Sequence, residues 1–268
     1  MYVKVDGVDY WVEIYGEGEP VVLLHGFTGS IANWGYLIKR LKQEYKVLAI
    51  DLPGHGQTKI DTVVKMEAFC QHLREILLQH GVKQTAMVGY SLGGRTALSF
   101  AMIYPEMVRS LVLESASPGL STVTEQIERQ TKDDALALKI ESEGIASFVA
   151  FWENIPLFNS QKQLSATQQA KIKKERLAQC ASGLAFSLRG MGTGVMPSWW
   201  DKLPTLNSNV LLIVGELDEK FVSIAKRMSG KMRNCQLIVV PNTGHAVHVE
   251  DPDFFGTIVN EFLQNGGN

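Results

Sequence analysis

Short runs of uninterrupted apolar residues recur along this chain, and a turn signal follows each of them. The six runs lie in "PVVLLHG", "YKVLAIDLPGHG", "QTAMVGYS", "RSLVLESAS", "NVLLIVGELD" and "CQLIVVPNTGH". Strands that are buried on both faces have this form, because neither row of side chains meets water. Helical stretches lie between the runs, and residues 66–80 place Phe69, Leu73 and Ile76 on one face. Strands that alternate with helices predict an α/β fold, with a mostly parallel sheet between layers of helices.

Two segments depart from this rhythm. At the amino terminus, "YVKV" and "YWVEIYG" alternate around an Asp-Gly pair, which predicts a β-hairpin. Residues 119–203 contain no strand-like apolar run, and separate amphipathic helices are expected in "TVTEQIERQTKDDALALKI", "GIASFVAFWENI" and "SATQQAKIKKERLAQC". We predict a core domain of residues 1–118 and 204–268, with residues 119–203 inserted as a helical cap over one end of the sheet. An independent second domain is the alternative, but its own core would be thin.

The composition limits the classes of function. The chain has 268 residues, of which 45% are hydrophobic and 20% charged, and its formal charge is −2. This balance gives no general attraction to nucleic acid or to an acidic membrane surface. No apolar run approaches the ~20 residues of a membrane span, and the charged, alternating amino terminus is not typical of a signal peptide. Three cysteines without metal-type spacing favour a reducing compartment. We expect a cytoplasmic monomer or homodimer that binds neither nucleic acid nor membrane.

The segment "GYSLGG" has the G-x-S-x-G pattern and lies between a predicted strand and a predicted helix. That context distinguishes a nucleophile elbow from an ordinary strand-to-helix turn. In such an elbow the serine occupies a tight turn, and Gly89 and Gly93 leave room for neighbouring backbone. The Leu92 amide, at the start of the helix, would donate to a developing oxyanion. We predict that Ser91 is the reactive hydroxyl.

An acid and a histidine follow in the chain order that this architecture uses. "IVGELD" ends a predicted strand at Asp218, and "VPNTGHAVHVED" places His245 after the last predicted strand. Both lie at the carboxyl ends of strands, where open α/β sheets place their sites. We predict that His245 takes the proton of Ser91 and that Asp218 orients the imidazole. Glu216 is the alternative acid.

Several neighbouring residues receive supporting roles. "LLHGFTGS" can turn the Phe27 amide toward the serine as the second oxyanion donor. His55, in the tight loop "DLPGHGQT", and His248, near the carboxyl end of the chain, are expected to be structural. Asp251 and Asp253 are assigned to the start of the last helix, where acidic residues are favoured.

Together, "HGF", "DLPGHGQT", "GYSLGG", "GELD" and "GH" resemble the α/β-hydrolase superfamily from end to end. "GYSLGGR", "SASPGL" and "LRGMGTGVMPSWWDKL" narrow the resemblance to the 2-succinyl-6-hydroxy-2,4-cyclohexadiene-1-carboxylate (SHCHC) synthases of menaquinone biosynthesis. The resemblance implies a carbon–oxygen lyase that eliminates pyruvate from 2-succinyl-5-enolpyruvyl-6-hydroxy-3-cyclohexene-1-carboxylate, a compound with several carboxylates. It also implies a helical cap over the site and no metal or other cofactor.

Arg95 lies four residues after Ser91, on the same face of the predicted helix. A guanidinium keeps its charge and binds carboxylates through a planar fork. In a partly dry cleft it needs an anion, which is either the substrate or an acid of the protein. The family resemblance implies the substrate, and it implies the same role for Arg129 and Arg189.

The resemblance also implies that Trp152, a cap aromatic, and Tyr90, next to the serine, contact the substrate. Simple packing within the cap is the alternative for Trp152. The charged run "KIKKER" is expected to be solvated, as such runs on helix surfaces usually are.

In the implied elimination, Ser91 acts as the base that removes a proton from carbon, and the oxyanion hole stabilises the charge that develops on the succinyl carbonyl. Two other functions remain open from the sequence. One is a serine carboxylesterase or carbon–carbon bond hydrolase in which Ser91 forms a covalent intermediate. The other is a ligand-binding protein without catalysis, since this fold hosts many functions.

Overall fold

Eight strands form one sheet in the structure, a computed structural model that describes residues 1–265. The strands in chain order are β1 (Tyr2–Val5), β2 (Val8–Tyr15), β3 (Glu19–Leu24), β4 (Tyr45–Ile50), β5 (Thr85–Tyr90), β6 (Val108–Glu114), β7 (Asn209–Gly215) and β8 (Cys235–Val240). Their order across the sheet is β1-β2-β4-β3-β5-β6-β7-β8. β1 and β2 form the predicted antiparallel hairpin, and β2 also runs antiparallel to β4. The six apolar runs form β3 to β8, which pair in parallel, as the sequence predicts.

The helices in chain order are α1 (Gly35–Leu41), α2 (Met66–Gln79), α3 (Leu92–Ile103), α4 (Val123–Trp152), α5 (Ala166–Leu177), α6 (Ala181–Met191), α7 (Glu219–Ser229), α8 (Val247–Glu250) and α9 (Pro252–Asn265). Short 3-10 helices span Ile31–Trp34, Pro105–Met107, Pro156–Gln163 and Leu203–Thr205. No helix within residues 1–265 is long and apolar enough to cross a membrane.

The two faces of the sheet bury separate hydrophobic cores, which explains why the strand sequences do not alternate. Val22 and Leu24 of β3 pack in one core, together with residues of α2 and α3. Val21 and Leu23 of the same strand pack in the other core, together with residues of α1 and α9. Because both rows of side chains are buried, every position of the run must be apolar.

Helices α4, α5 and α6 occupy the long connection between β6 and β7. The α4 segment is broken at Gly144, where φ is 79° and ψ is 172°, so the first two helices expected there meet at this residue. The third expected helix corresponds to α5, whereas α6 is a helix that the sequence pattern did not indicate. α4 and α6 share a small apolar core of Ala137, Ile140, Phe148, Val149, Leu184, Ala185 and Leu188.

Candidate active site

The turn between β5 and α3 holds Ser91 in an uncommon backbone conformation, with φ 49° and ψ −104°. Its amide donates to the Glu114 carbonyl at 2.8 Å, which fixes the turn to the neighbouring strand. Gly93 lies against β3 so closely that a Cβ atom there would be 1.9 Å from the Leu24 carbonyl oxygen. A Cβ on Gly89 would be 2.4 Å from the Gly93 oxygen. The turn therefore needs both glycines, as the motif predicts.

A hydrogen-bonded chain runs from Ser91 through His245 to Asp218. The Nε2 atom of His245 lies 3.2 Å from the Ser91 Oγ atom, and Nδ1 lies 2.6 Å from the Asp218 Oδ2 atom. Asp218 and His245 are buried, which keeps water away from this pair. Glu216, the alternative acid, is exposed and its carboxylate instead accepts a hydrogen bond from the Asn242 amide at 3.1 Å. The geometry therefore pairs the histidine with Asp218.

A second buried acid fixes the loop that carries His245. The carboxylate of Glu114, fully buried at the end of β6, accepts from the His248 amide at 2.9 Å and lies 3.0 Å from the His248 Nδ1 atom. The Tyr90 ring packs between the two histidines, with centroid distances of 5.4 Å to His245 and 4.6 Å to His248. His248 is thus structural, as expected. Glu114 was missed, although an acid at the end of the apolar run "LVLE" was a signal.

A cavity of about 220 Å³ opens beside Ser91. Its walls are mostly apolar, and three cations, Arg95, Arg129 and Lys220, line it. No Asp or Glu of the described chain is among its lining residues. A wider recess of about 400 Å³ lies between β8 and α9, but no member of the hydrogen-bonded chain lines it. The cavity beside the serine is therefore the candidate site, and its charge suits an anionic ligand.

Arg95 is the most buried of these cations. Its Nη1 atom donates to the Met191 carbonyl at 2.8 Å, and within residues 1–265 no carboxylate approaches it to ion-pair distance. Burial and, to a lesser extent, the charge of Arg129 lower the pKa of Arg95 to about 10, and the charge of Asp133 opposes both effects. The guanidinium therefore stays charged at neutral pH. Arg129 has an acidic partner, since its Nε atom donates to Asp133 at 2.8 Å.

Known proteins resemble this chain over nearly its whole length. Residues 19–252 match the α/β-hydrolase fold family. The chain is 45% identical over 263 residues to a Bacillus subtilis (strain 168) protein assigned as a 2-succinyl-6-hydroxy-2,4-cyclohexadiene-1-carboxylate synthase, with 96% of each chain covered. It is 30% identical to the synthase of that name from Escherichia coli O157:H7, covering 87% of this chain and 88% of that one. The solved structure of MenH from S. aureus has a TM-score of 0.92 and 38% identity, and covers 97% of this chain and 99% of that one. The chain belongs to the SHCHC synthase family.

The third arginine expected for this SHCHC synthase family member, Arg189, does not line the cavity. Its Nη1 and Nη2 atoms form a two-point ion pair with Glu141, at 2.6 and 2.8 Å. The cavity is lined by Leu188 and Met191 of the same helix, and the 100° step from residue 188 to residue 189 turns the arginine away. Arg189 is therefore not among the cavity-lining residues, and its expected substrate contact stays a prediction.

The remaining expected residues all line the cavity: Phe27, Tyr90, Leu92 and Trp152. Leu92 is the first residue of α3, so its amide has no acceptor within the helix. The Trp152 ring packs edge-on against Phe27, with centroids 5.5 Å apart. The Trp152 Nε1 atom is buried without a hydrogen-bond partner in the described chain.

Two residues next to the predicted acid were overlooked. Lys220 and Phe221 belong to the first turn of α7, directly after Asp218, and both line the cavity. The Phe221 ring centroid lies 4.6 Å from that of His245, so the ring packs against the imidazole. Their position two and three residues after the acid was the available signal.

The charged run "KIKKER" is not uniformly solvated, contrary to expectation. Its last residue, Arg176, is only 7% exposed and packs on the Phe158 ring, 4.5 Å from the centroid. The Nη2 atom donates to the Gln161 side chain at 3.1 Å. Arg176 is also close enough to Tyr90 to influence its pKa, which burial raises well above the ordinary value. A second buried guanidinium thus lies behind the cavity wall.

Proposed function

We propose that this chain eliminates pyruvate from 2-succinyl-5-enolpyruvyl-6-hydroxy-3-cyclohexene-1-carboxylate to give 2-succinyl-6-hydroxy-2,4-cyclohexadiene-1-carboxylate, a step of menaquinone biosynthesis. The observation that carries the proposal is a cavity beside Ser91 that is lined by three cations and by no acid of the described chain. Fixed guanidinium groups in a mostly apolar cavity suit a substrate with several carboxylates. The names of the relatives support the same reaction.

In this proposal, Ser91 removes a proton from a ring carbon, and His245 accepts the serine proton. The electron pair of the broken C–H bond at C2 forms the C2–C3 double bond, and the pair of the former C3–C4 double bond moves to C4–C5. The bond from C5 to the enolpyruvyl oxygen then breaks, and its electron pair leaves on that oxygen. The enolpyruvate takes up a proton and tautomerises to pyruvate, so that the elimination needs no oxidant or cofactor. Asp218 stabilises the imidazolium that forms while His245 holds the proton.

The amides of Phe27 and Leu92 are proposed to stabilise negative charge on the succinyl carbonyl, through which the developing carbanion delocalises. One such donor contributes on the order of 3 kcal/mol in other enzymes. Arg95 and Arg129 would hold carboxylates, and Tyr90 and Trp152 would pack against or hydrogen-bond the ring. Holding the substrate in one orientation accelerates the reaction further.

We also propose that residues 119–203 act as a cap on a core of residues 1–118 and 204–268. A close backbone contact between Gly54 and Gly183 supports this, because a Cβ on Gly54 would be 2.2 Å from the Gly183 oxygen. The Gly56 amide also donates to the Gln179 side chain at 3.0 Å. These contacts tie the start of α6 to the "DLPGHG" loop of the core. A cytoplasmic enzyme, monomeric or homodimeric, remains our expectation.

The proposal is tested by following pyruvate release from the enolpyruvyl substrate with purified wild-type protein and with Ser91→Ala. Ser91→Ala should lower kcat about a thousandfold, because it removes the hydroxyl that takes the carbon proton and passes its own proton to His245. Ser99→Ala is the matched control on the same helix, since Ser99 accepts from Trp199 and does not line the cavity. Unchanged pyruvate release by Ser91→Ala would exclude the serine as base. Rapid turnover of an activated ester through an acyl adduct on Ser91, without pyruvate release, would favour the esterase instead.

A further inference from the structure

Asp133 is a buried carboxylate on a helix whose other charged residues are at least partly exposed. The residue is 4% exposed, whereas its neighbours Lys132 and Asp134 are exposed. A buried charge is costly unless it is paired, and nothing in the packing of α4 alone requires an acid at this position. Asp133 therefore needs an explanation in terms of what surrounds it.

The surroundings are the two arginines of the cavity. The Oδ1 atom of Asp133 accepts from the Nε atom of Arg129 at 2.8 Å, one helical turn earlier. A guanidinium has five N–H donors, and this bond uses only the Nε donor. The structure gives the Nη1 and Nη2 groups of Arg129 no hydrogen bond to any residue of the described range, and Arg129 lines the cavity.

The charge of Asp133 also reaches Arg95. Two guanidinium groups in one small cavity repel each other, and Arg129 lowers the pKa of Arg95 for this reason. Asp133 acts in the opposite direction on the same group. One buried carboxylate therefore offsets part of the repulsion between two cations that must both stay charged.

The glycine-rich turn after α6 makes room for this acid. A Cβ on Gly192 would be 2.7 Å from the Asp133 Oδ2 atom, and a Cβ on Gly194 would be 3.0 Å from the carbonyl carbon of Arg129. The preceding residue, Met191, provides the carbonyl that binds Arg95. The turn thus packs directly against the Arg129–Asp133 pair.

We propose that Asp133 is a positioning residue that holds Arg129 by its Nε atom and leaves both Nη groups free to bind a substrate carboxylate. The inference rests on the proposed function, because it assumes that the substrate is a polycarboxylate. Asp133 does not touch the substrate in this arrangement. It acts through Arg129, so its loss should weaken binding and leave the chemical step nearly intact.

The test compares steady-state pyruvate release by Asp133→Ala, Asp133→Asn, Arg129→Met and the double variant Asp133→Ala with Arg129→Met. Asp133→Ala should raise KM about tenfold and change kcat less than threefold. Asp133→Asn, which keeps an acceptor for Nε, should restore KM to within about threefold of the wild-type value. In the Arg129→Met background, Asp133→Ala should have no further effect on KM, because the residue through which it acts is gone.

Asp134→Ala is the matched control, since Asp134 is exposed, lies next in the chain and approaches only Arg189 among its basic neighbours, at 3.9 Å. Its KM should equal that of the wild type. The inference would be overturned if Asp133→Ala left KM unchanged, or if it raised KM equally in the wild-type and Arg129→Met backgrounds. In either case, pyruvate release by the wild-type protein would still uphold the proposed function. Wild-type protein without pyruvate release would instead reject the function itself. Should Asp133→Ala fail to fold, Asp133→Asn with and without Arg129 carries the test: coupled effects support the inference and additive effects reject it.

Discussion

The Arg95 guanidinium on α3 donates through Nη1 to the backbone carbonyl of Met191 at the end of α6, at 2.8 Å. This bond connects the helix that follows the reactive serine to the helices inserted between β6 and β7. The position of the buried cation therefore depends on how α6 lies over the sheet. A substrate carboxylate would therefore bind a guanidinium that is held in place both by its own helix α3 and by the Met191 carbonyl of α6.

Arg95→Met should reduce kcat/KM for the enolpyruvyl substrate at least thirtyfold, which corresponds to about 2 kcal/mol. The reason is that a desolvated carboxylate would lose its ion partner. Arg95→Lys keeps the charge but loses the planar fork, so its kcat/KM should lie between those of the wild type and Arg95→Met. Steady-state pyruvate release gives kcat/KM for the wild type and both variants. Any hydrolysis of a small neutral ester should change little, and an equal loss on both substrates would indicate misfolding instead.

Arg176→Gln should raise KM several-fold, because the guanidinium is buried behind the cavity wall and adds positive potential there. In the described part of the chain, no carboxylate lies within ion-pair distance of it. The loss of one such charge is worth on the order of 1 kcal/mol. Lys174→Gln, at an exposed position on the same helix, is the control and should leave KM unchanged. Equal effects of the two substitutions would mean that only the net charge of the surface matters.

The strands, their mostly parallel arrangement and the position of the serine, acid and histidine could be predicted from the sequence because these features follow from local rules. A strand buried on both faces must be continuously apolar, and a nucleophile elbow needs glycines that flank the serine. Asp218 and His245 end up together because parallel strands carry their carboxyl ends to one edge of the sheet. These features depend on a few neighbouring residues and on chain order.

The cationic lining was harder to predict because it depends on which way a helix turns. Arg189 and Leu188 are adjacent in sequence, yet a 100° step sends one to Glu141 and the other to the cavity. In the same way, Arg176 is buried although it ends a charged run. The sequence around these residues does not determine how their helices are rotated about their axes, because that rotation depends on packing contacts with distant parts of the chain.

The stability of the protein should fall in mild acid because two buried histidines are neutral in the folded state. The Leu52 amide donates to the Nε2 atom of His25 at 3.0 Å, so this nitrogen carries no proton. Burial lowers the pKa of His25 from 6.5 to about 4 and that of His55 from 6.5 to about 3. Between these values the unfolded chain binds protons that the folded chain excludes. The free energy of unfolding therefore decreases as the pH falls below about 6.5.

His55→Asn isolates the contribution of one histidine, because asparagine keeps a donor for the Pro53 carbonyl but does not titrate. Between pH 7.5 and pH 5.0, wild-type protein should lose about 2 kcal/mol more unfolding free energy than the variant. Denaturant titrations at the two pH values measure the difference. Asp51, whose pKa burial raises to about 6, contributes with the opposite sign, but it is present in both proteins. An identical pH dependence in both proteins would contradict a neutral His55.

Glu114→Ala should destabilise the protein and slow catalysis at once, because Glu114 connects β6 to the loop of His245. Its removal leaves the buried His248 amide and imidazole without their acceptor, which costs about 1 to 3 kcal/mol. The loosened loop should also lower kcat at least tenfold, since His245 must stay within 3.2 Å of Ser91. Glu114→Gln keeps one acceptor oxygen and should recover most of the stability and most of kcat. Thermal unfolding and pyruvate release, measured on the same preparations, test both effects. A variant that unfolds more easily but turns over at the wild-type rate would show that His245 is held by Asp218 and Phe221 alone.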